Sequence, residues 1–252
     1  MESEFTTGYN RPQKLSDPCS DFTPAALDAL LAKSDDEFDW LDYSSLFDPR
    51  LPAGNYDESI YFLPQAFSYL KYHEAEAFDL VTPMVRFCAK NMDQLTRDDL
   101  HVIVREKFSE CLDYWARDFR VIHFNKKSST KKGSGYDHYD LITNSEVICK
   151  AIAELVDSVV LKDIALNFLK SISLHSGNFS KAAWFLEYSK SRFDVYSPPH
   201  DEEVQALITR QDLLRSAYLR VEKEIDDEYS PLALWLDMLN ELGIVADAKV
   251  KM

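Results

Sequence analysis

The stretch that decides the fold is LTRDDLHVIVREKFSECLDYWARDFRVIHF, residues 95–124. Apolar side chains recur along it every three or four residues, which places them on one face of an α-helix. We therefore predict one helix over residues 95–124. The apolar stripe of this helix consists of Leu100, Val104, Phe108, Cys111, Trp115, Phe119 and Ile122, and Val102, Leu112 and Val121 are expected to widen it toward further neighbours.

Prolines mark several of the expected helix boundaries. Thr23-Pro24 and Thr82-Pro83 each place a capping hydroxyl before a proline, a residue whose missing N–H costs nothing in the first helical turn. Both pairs therefore predict a helix start. Pro64 predicts either a kink or one helix that ends before it and a second that begins there.

Two further segments show helical periodicity in the second half of the chain. One carries an apolar face that ends at Val159, and its members are Ile148, Ile152, Leu155 and Val159. The other, from Val204 to Ile225, keeps the three–four alternation of a heptad seam with Gln211 as a polar interruption. This second segment predicts one helix, which could pack within the chain or form a homodimer.

No segment shows the sustained alternation of apolar and polar residues that marks a half-buried strand. We therefore predict an all-α protein, an irregular multi-helix bundle or stacked helical hairpins, with eight to ten helices and no significant sheet. Residues 1–22 are expected to form a polar N-terminal arm. Residues 23–252 are expected to form a single domain with a mobile basic loop at 125–137, and with a possible division into 23–124 and 138–252.

Composition excludes several classes of function. The 252-residue chain has only six glycines and contains no GxGxxG, GxxxxGK[ST] or GxSxG motif. Its formal net charge of −15 argues against binding to nucleic acid or to anionic membranes. No apolar run approaches the length of a membrane span, and the N-terminus lacks the apolar core of a secretory signal. With four cysteines that form no CxxC pair, we expect a cytoplasmic protein with reduced thiols and no cofactor.

The negative charge is concentrated near the N-terminus. Residues 1–60 hold 13 acidic and four basic residues, a net charge of −9, and aromatic side chains are interleaved with the acids. Such a mixture suits a surface that meets a basic partner, because charge steers the encounter and aromatic side chains anchor it. The predicted partner-binding residues are Asp35, Asp36, Glu37, Asp39, Trp40, Asp42 and Tyr43.

This pattern favours a non-enzymatic, acidic helical protein that binds another protein. An inhibitor or immunity-type protein that neutralises a basic toxin or nuclease fits the charge best. The expected partner is a basic protein, and neither nucleic acid nor membrane is expected as a partner.

An alternative prediction is a metal-dependent enzyme of all-α fold that acts on a phosphorylated small molecule. The sequence DDEFD, residues 35–39, fits the DDxxD pattern with which prenyl-diphosphate enzymes hold Mg²⁺. That chemistry needs hard oxygen ligands at positions i and i+4 of one helix face, here Asp35 and Asp39, and the candidate metal ligands are Asp35, Asp36 and Asp39. Against it, no second acidic metal motif is found, and only Lys33 and Arg50 flank the segment.

Overall fold

The computed structural model describes residues 5–117, 136–171, 179–189 and 198–222. Within these ranges the chain is helical and has no strand, so the all-α prediction is confirmed. No helix in the same ranges is long and apolar enough to cross a lipid bilayer. The chain divides into two compact units, Met1–Leu112 with Lys150–Ile164 and Asp113–Cys149 with Ala165–Met252.

The helices of the described residues are numbered here in chain order. They are α1 Pro24–Ala32, α2 Trp40–Phe47, α3 Tyr56–Ser59, a 3-10 helix Ile60–Phe62, α4 Leu63–Tyr72, α5 Glu74–Lys90, α6 Met92–Arg97, α7 His101–Arg117, α8 Tyr136–Asp157, α9 Lys162–Lys170, α10 Phe179–Ser189, α11 Glu202–Ile208 and α12 Gln211–Glu222. They outnumber the eight to ten expected because several predicted helices are divided. The expected basic loop lies outside the described residues, except that α8 already begins at Tyr136.

Two of the three proline predictions are confirmed. The Thr23 hydroxyl caps α1 by accepting a hydrogen bond from the backbone N–H of Ala26 at 3.2 Å. Pro64 lies in the first turn of α4, which begins at Leu63. The start predicted at Thr82-Pro83 is wrong, since Pro83 lies inside the continuous helix α5. This helix continues through the proline because it is buried on both sides of it; the buried apolar residues are Ala77, Leu80, Val81, Met84, Val85, Phe87 and Cys88.

The prediction of one helix over residues 95–124 is wrong in its first part, because the chain breaks after α6. Asp99 adopts a left-handed backbone conformation with φ +57°. The Leu100 N–H donates to the Leu95 carbonyl at 2.8 Å, and the Asp99 N–H donates to the Thr96 carbonyl at 3.2 Å. These two bonds form a Schellman motif, which ends one helix before α7 begins.

The apolar stripe itself is confirmed over the described part of α7. Its buried members are Leu100, Val104, Phe108, Cys111 and Trp115, and Leu112 is buried beside them; Phe119, Val121 and Ile122 lie outside the described residues. Two valines depart from the prediction. Val102 is 53% exposed, and Val159 lies beyond the end of α8 and is 93% exposed.

The first unit is built around α5. Helices α2 and α4 both pack against it, and aromatic pairs contribute to the packing of this unit. Phe47 of α2 meets Phe87 of α5 edge to face at 4.9 Å between ring centroids, and Phe67 of α4 meets Phe108 of α7 in the same way at 4.8 Å. Aromatic pairs in this geometry add to the stabilisation that burial alone provides.

In the second unit, α10 packs against α12 and carries the buried residues Trp184, Tyr188 and Lys181. The Trp184 and Tyr188 rings stack at 4.8 Å. The Lys181 ammonium donates to Asp113 at 2.6 Å and to the Ser171 hydroxyl at 2.8 Å. Burial lowers the pKa of Lys181, and the hydrogen bond with Asp113 only partly opposes this effect.

The heptad seam is divided between α11 and α12, at Thr209 and Arg210. The continuous helix expected from Val204 onward is therefore wrong, although the apolar pattern is used: Val204, Leu207, Leu214 and Tyr218 are buried within the chain. Ile225 lies outside the described residues. A homodimer through this segment stays a prediction.

Substitution of Asp99 should test the backbone conformation that divides α6 from α7. We expect Asp99→Val to lower the free energy of unfolding by about 1–2 kcal/mol, because a β-branched residue is strained in the left-handed region. Asp99→Gly should be neutral or stabilising. Urea titration measures both, and Glu106→Val, on the exposed face of α7, is the matched control. Equal losses of stability in Asp99→Val and Glu106→Val would contradict a left-handed backbone at Asp99.

Lys181→Met should separate the charge of this lysine from its packing. We expect a change below about 1 kcal/mol at neutral pH, since the apolar stem is kept and the buried charge is removed. The pKa of Lys181 is lower in the folded protein than in the unfolded chain. At pH values between these two pKa values, the unfolded chain binds more protons than the folded protein. The wild type should therefore become more stable as the pH rises through that range. The gain should be absent in the variant. Urea titrations at neutral and alkaline pH measure it, and a loss above about 3 kcal/mol would show that the ion pair is net stabilising.

Candidate functional site

The acidic segment of the sequence lies between α1 and α2 of the first unit. Asp35 and Asp36 occupy a turn, and Asp39 directly precedes α2, which begins at Trp40. Positions 35 and 39 therefore do not share a helix face, which the DDxxD alternative requires. Among the described residues, no group of three or more histidine, cysteine, aspartate or glutamate side chains could hold a metal ion.

Asp39 and Asp42 serve the start of helix α2. The Asp39 carboxylate accepts hydrogen bonds from the N–H groups of Leu41 at 2.8 Å and Asp42 at 3.1 Å, and the Asp42 carboxylate accepts one from the Asp39 N–H at 2.9 Å. This is a capping box. The Lys33 ammonium also donates to Asp42 at 2.6 Å, and this bond raises the pKa of Lys33.

Asp35 is held from within the chain by Arg11. The guanidinium donates to the Asp35 carboxylate at 2.7 Å and to the backbone carbonyls of Leu31, at 3.3 Å, and Lys33, all at the C-terminal end of α1. The negative end of the helix dipole favours a cation at this position. The same guanidinium lies 5.9 Å from the ring centroid of Phe38.

Aromatic side chains close the inner face of the segment. The Tyr61 hydroxyl donates to Asp35 at 2.9 Å, and burial together with this bond raises the pKa of Tyr61. Tyr43 is buried against the rings of Phe38 and Tyr69, each at 5.4 Å, and burial raises its pKa as well. Tyr43 is therefore part of the core and offers no surface to a partner.

Five residues of the segment and of the start of α2 are at least partly exposed to solvent. Asp36, Glu37 and Asp39 are exposed, Trp40 is half-buried, and Leu41 is 57% exposed. We call these five residues the acidic turn. Leu41 was not among the predicted partner-binding residues, whereas Asp35, Asp42 and Tyr43 were predicted and are engaged within the chain.

Ser34 fixes the charge of the acidic turn. Its backbone N–H and its hydroxyl donate to the Glu37 carboxylate at 2.8 and 2.7 Å, and these bonds lower the pKa of Glu37. A hydrogen bond from the Ser34 side chain also lowers the pKa of Asp36. Carboxylates are ionised at neutral pH in any case, and these hydrogen bonds extend the ionised range of both toward lower pH.

The N-terminal arm packs against the same unit as the acidic turn. The Phe5 and Phe67 rings lie 6.1 Å apart between centroids, the Tyr9 hydroxyl donates to Asp98 at 2.9 Å, and Leu15 is buried. These anchors follow no regular spacing, so periodicity could not identify them. The large aromatic and aliphatic side chains scattered through a polar segment were the only available signal.

Comparison with known proteins gives no match: no family model, no curated protein and no solved structure matches this chain. Fold class alone does not define a function, since all-α architectures support many unrelated activities. The chemistry of the surface is therefore the basis on which a function can be proposed.

Arg11→Ala should loosen the inner face of the acidic turn. We expect the free energy of unfolding to fall by about 1–2 kcal/mol, because three acceptors lose a charged donor at a partly exposed site. Lys14→Ala, which removes an exposed cation from the same arm, should stay within about 0.5 kcal/mol. Urea titration compares the two variants, and equal losses would show that Arg11 has no special role.

Proposed function

We propose that this protein is a non-enzymatic, cytoplasmic, acidic helical protein that binds a basic protein through the acidic turn. The observation that carries the proposal is the exposed Leu41 beside half-buried Trp40, with three exposed carboxylates in the same short segment. An exposed aliphatic side chain among ionised acids combines an anchor with a charge that selects the partner.

The charge of the whole chain supports a basic partner. At −15, the protein repels nucleic acid and other acidic proteins, and attracts a basic protein from a distance. Long-range attraction acts mainly on the association rate, and salt screens it beyond a Debye length of about 8–10 Å. The aliphatic and aromatic contacts are less sensitive to salt and act mainly on the dissociation rate.

An inhibitor or immunity-type protein is the form of this function that the charge supports best. Toxins and nucleases that act on nucleic acid carry Lys and Arg where they contact phosphates. An acidic protein that covers such a surface would block it by occupying the same cations. Carboxylates held in place by Ser34 and by the α2 cap lose little conformational entropy on binding.

Neutralising the acidic turn should test the proposal. The triple variant Asp36→Asn, Glu37→Gln, Asp39→Asn removes three charges and keeps the hydrogen-bond acceptors, Asn being a good N-cap. The wild type, immobilised in host lysate at low salt, should retain a basic protein that elutes at high salt. Calorimetry with that purified protein should show about tenfold weaker binding to the triple variant.

The matched control removes the same charge elsewhere. Asp57→Asn, Asp93→Asn and Glu202→Gln alter three exposed acids in the first turns of α3, α6 and α11. The control should bind within about threefold of the wild type, in keeping with the small effects of remote charges. An equal loss of affinity in both triple variants would show that binding depends on net charge and not on the acidic turn. If the wild type retains no basic protein at low salt, the proposed function is contradicted.

A further inference from the structure

The first unit has a second exposed aliphatic surface, which the acidic turn does not include. Val159 is 93% exposed, Val102 is 53% exposed and Val160 is 41% exposed. Val102 lies in the first turn of α7, and the other two lie between α8 and α9. We call these three residues the valine patch.

The backbone of this connection is fixed by hydrogen bonds. The Leu161 N–H donates to the Ser158 carbonyl at 3.1 Å, the Lys162 N–H donates to the same carbonyl at 2.9 Å, and the Leu161 side chain is buried. Turns are usually built from glycine, proline, asparagine, aspartate or serine. Two adjacent valines that face water at a fixed turn are therefore costly for solubility and add little to the core.

Arg105 joins this turn to α7. Its guanidinium donates to the Val160 carbonyl at 2.6 Å and to the Asp163 carboxylate. Val102 precedes Arg105 by three residues, so both lie on the same side of the helix. The Arg105 bond therefore holds the turn that carries Val159 and Val160 beside the first two turns of α7, which include Val102.

Charges around the valine patch are mainly acidic. Asp157 and Asp163 flank the turn, Asp99 and Glu106 flank Val102 along the chain, and all four are exposed. The basic residues within four positions are Arg105, which binds Asp163, and Lys162, which has interactions of its own. We propose that the valine patch is a docking surface for a basic segment of a partner protein, one that carries an aliphatic or aromatic side chain between lysines or arginines.

Charge complementarity decides between the occupants. A second copy of this chain would bring the same acids against each other across a symmetric interface, where like charges are unfavourable. Anionic lipid would meet the same repulsion. A basic, amphipathic protein segment covers the valines and neutralises the acids at once. The inference does not depend on the acidic turn, because no residue is shared between the two surfaces.

A labelled peptide tests the docking surface. The probe is a fluorescein-labelled amphipathic peptide of leucine and lysine, and its controls replace every leucine by serine or every lysine by glutamate. Fluorescence anisotropy at low salt should show binding of the leucine–lysine peptide alone. The double variant Val159→Ser, Val160→Ser and the single variant Val102→Ser should each bind at least about tenfold more weakly. Both should keep the wild-type stability, since substitutions of exposed residues rarely alter it much.

The matched control is the triple variant of the acidic turn, which should bind the peptide as the wild type does. Equal binding by the valine variants, or no binding of the leucine–lysine peptide to the wild type, would overturn the docking surface. Binding of the serine–lysine peptide with the same affinity would reduce the effect to charge and would also overturn it. Sedimentation velocity gives the last outcome: a wild-type dimer that the valine substitutions convert to a monomer would assign the patch to a second copy instead. Loss of peptide binding in the acidic-turn variant alone would overturn this inference and leave the proposed function standing.

Discussion

The hydrogen bonds of the Arg11 guanidinium hold the acidic segment of the first unit in place. The guanidinium binds two backbone carbonyls at the end of α1 and the Asp35 carboxylate, so one side chain joins the arm, the helix end and the acidic segment. Without a cation here, a carboxylate would lie beside the negative end of a helix dipole, which is unfavourable. Arg11 and Lys33 pair with Asp35 and Asp42, and the acids that these two cations leave unpaired, Asp36, Glu37 and Asp39, are the exposed ones.

Local sequence rules predicted helix starts well where nothing larger competed with them. The cap at Thr23 and the break at Pro64 follow from steric and hydrogen-bonding properties of a few adjacent residues. The helix start predicted at Pro83 was wrong because burial along α5 outweighs the loss of one backbone hydrogen bond. The helix break at Asp99 was missed because the apolar periodicity continues across it. The Schellman motif that ends α6 there is formed by polar residues and leaves no periodic signal in the sequence.

Composition selected the candidate segment but could not predict which of its side chains are exposed. A mixture of acids and aromatic residues drew attention to residues 35–43, yet Tyr43 is in the core and Leu41 is on the surface. Successive helical residues are about 100° apart, so positions 41 and 43 differ by about 200° and cannot face the same way. The buried set of α2, namely Tyr43, Leu46 and Phe47, has the i, i+3, i+4 spacing of one face. With the start of α2 known, the exposure of Leu41 follows from the sequence, whereas the pairing of Asp35 with Arg11 requires the tertiary structure.

The angle between helical residues also accounts for the exposure of Val102 in the valine patch. Val102 and Val104 are also two residues apart on one helix, so when Val104 enters the core, Val102 must leave it. Val159 follows the pattern of α8 but lies two residues beyond its last turn, where the helical direction no longer applies. An aliphatic residue at such a position gains nothing from burial within the chain and would be stabilised only by a partner. The two surfaces proposed here, the acidic turn and the valine patch, both combine aliphatic side chains with acids, so the partner proposed for each would be apolar at its centre and basic around it. We therefore expect ionic strength to act on the association rate at each proposed surface, and removal of the aliphatic side chain to act on the dissociation rate.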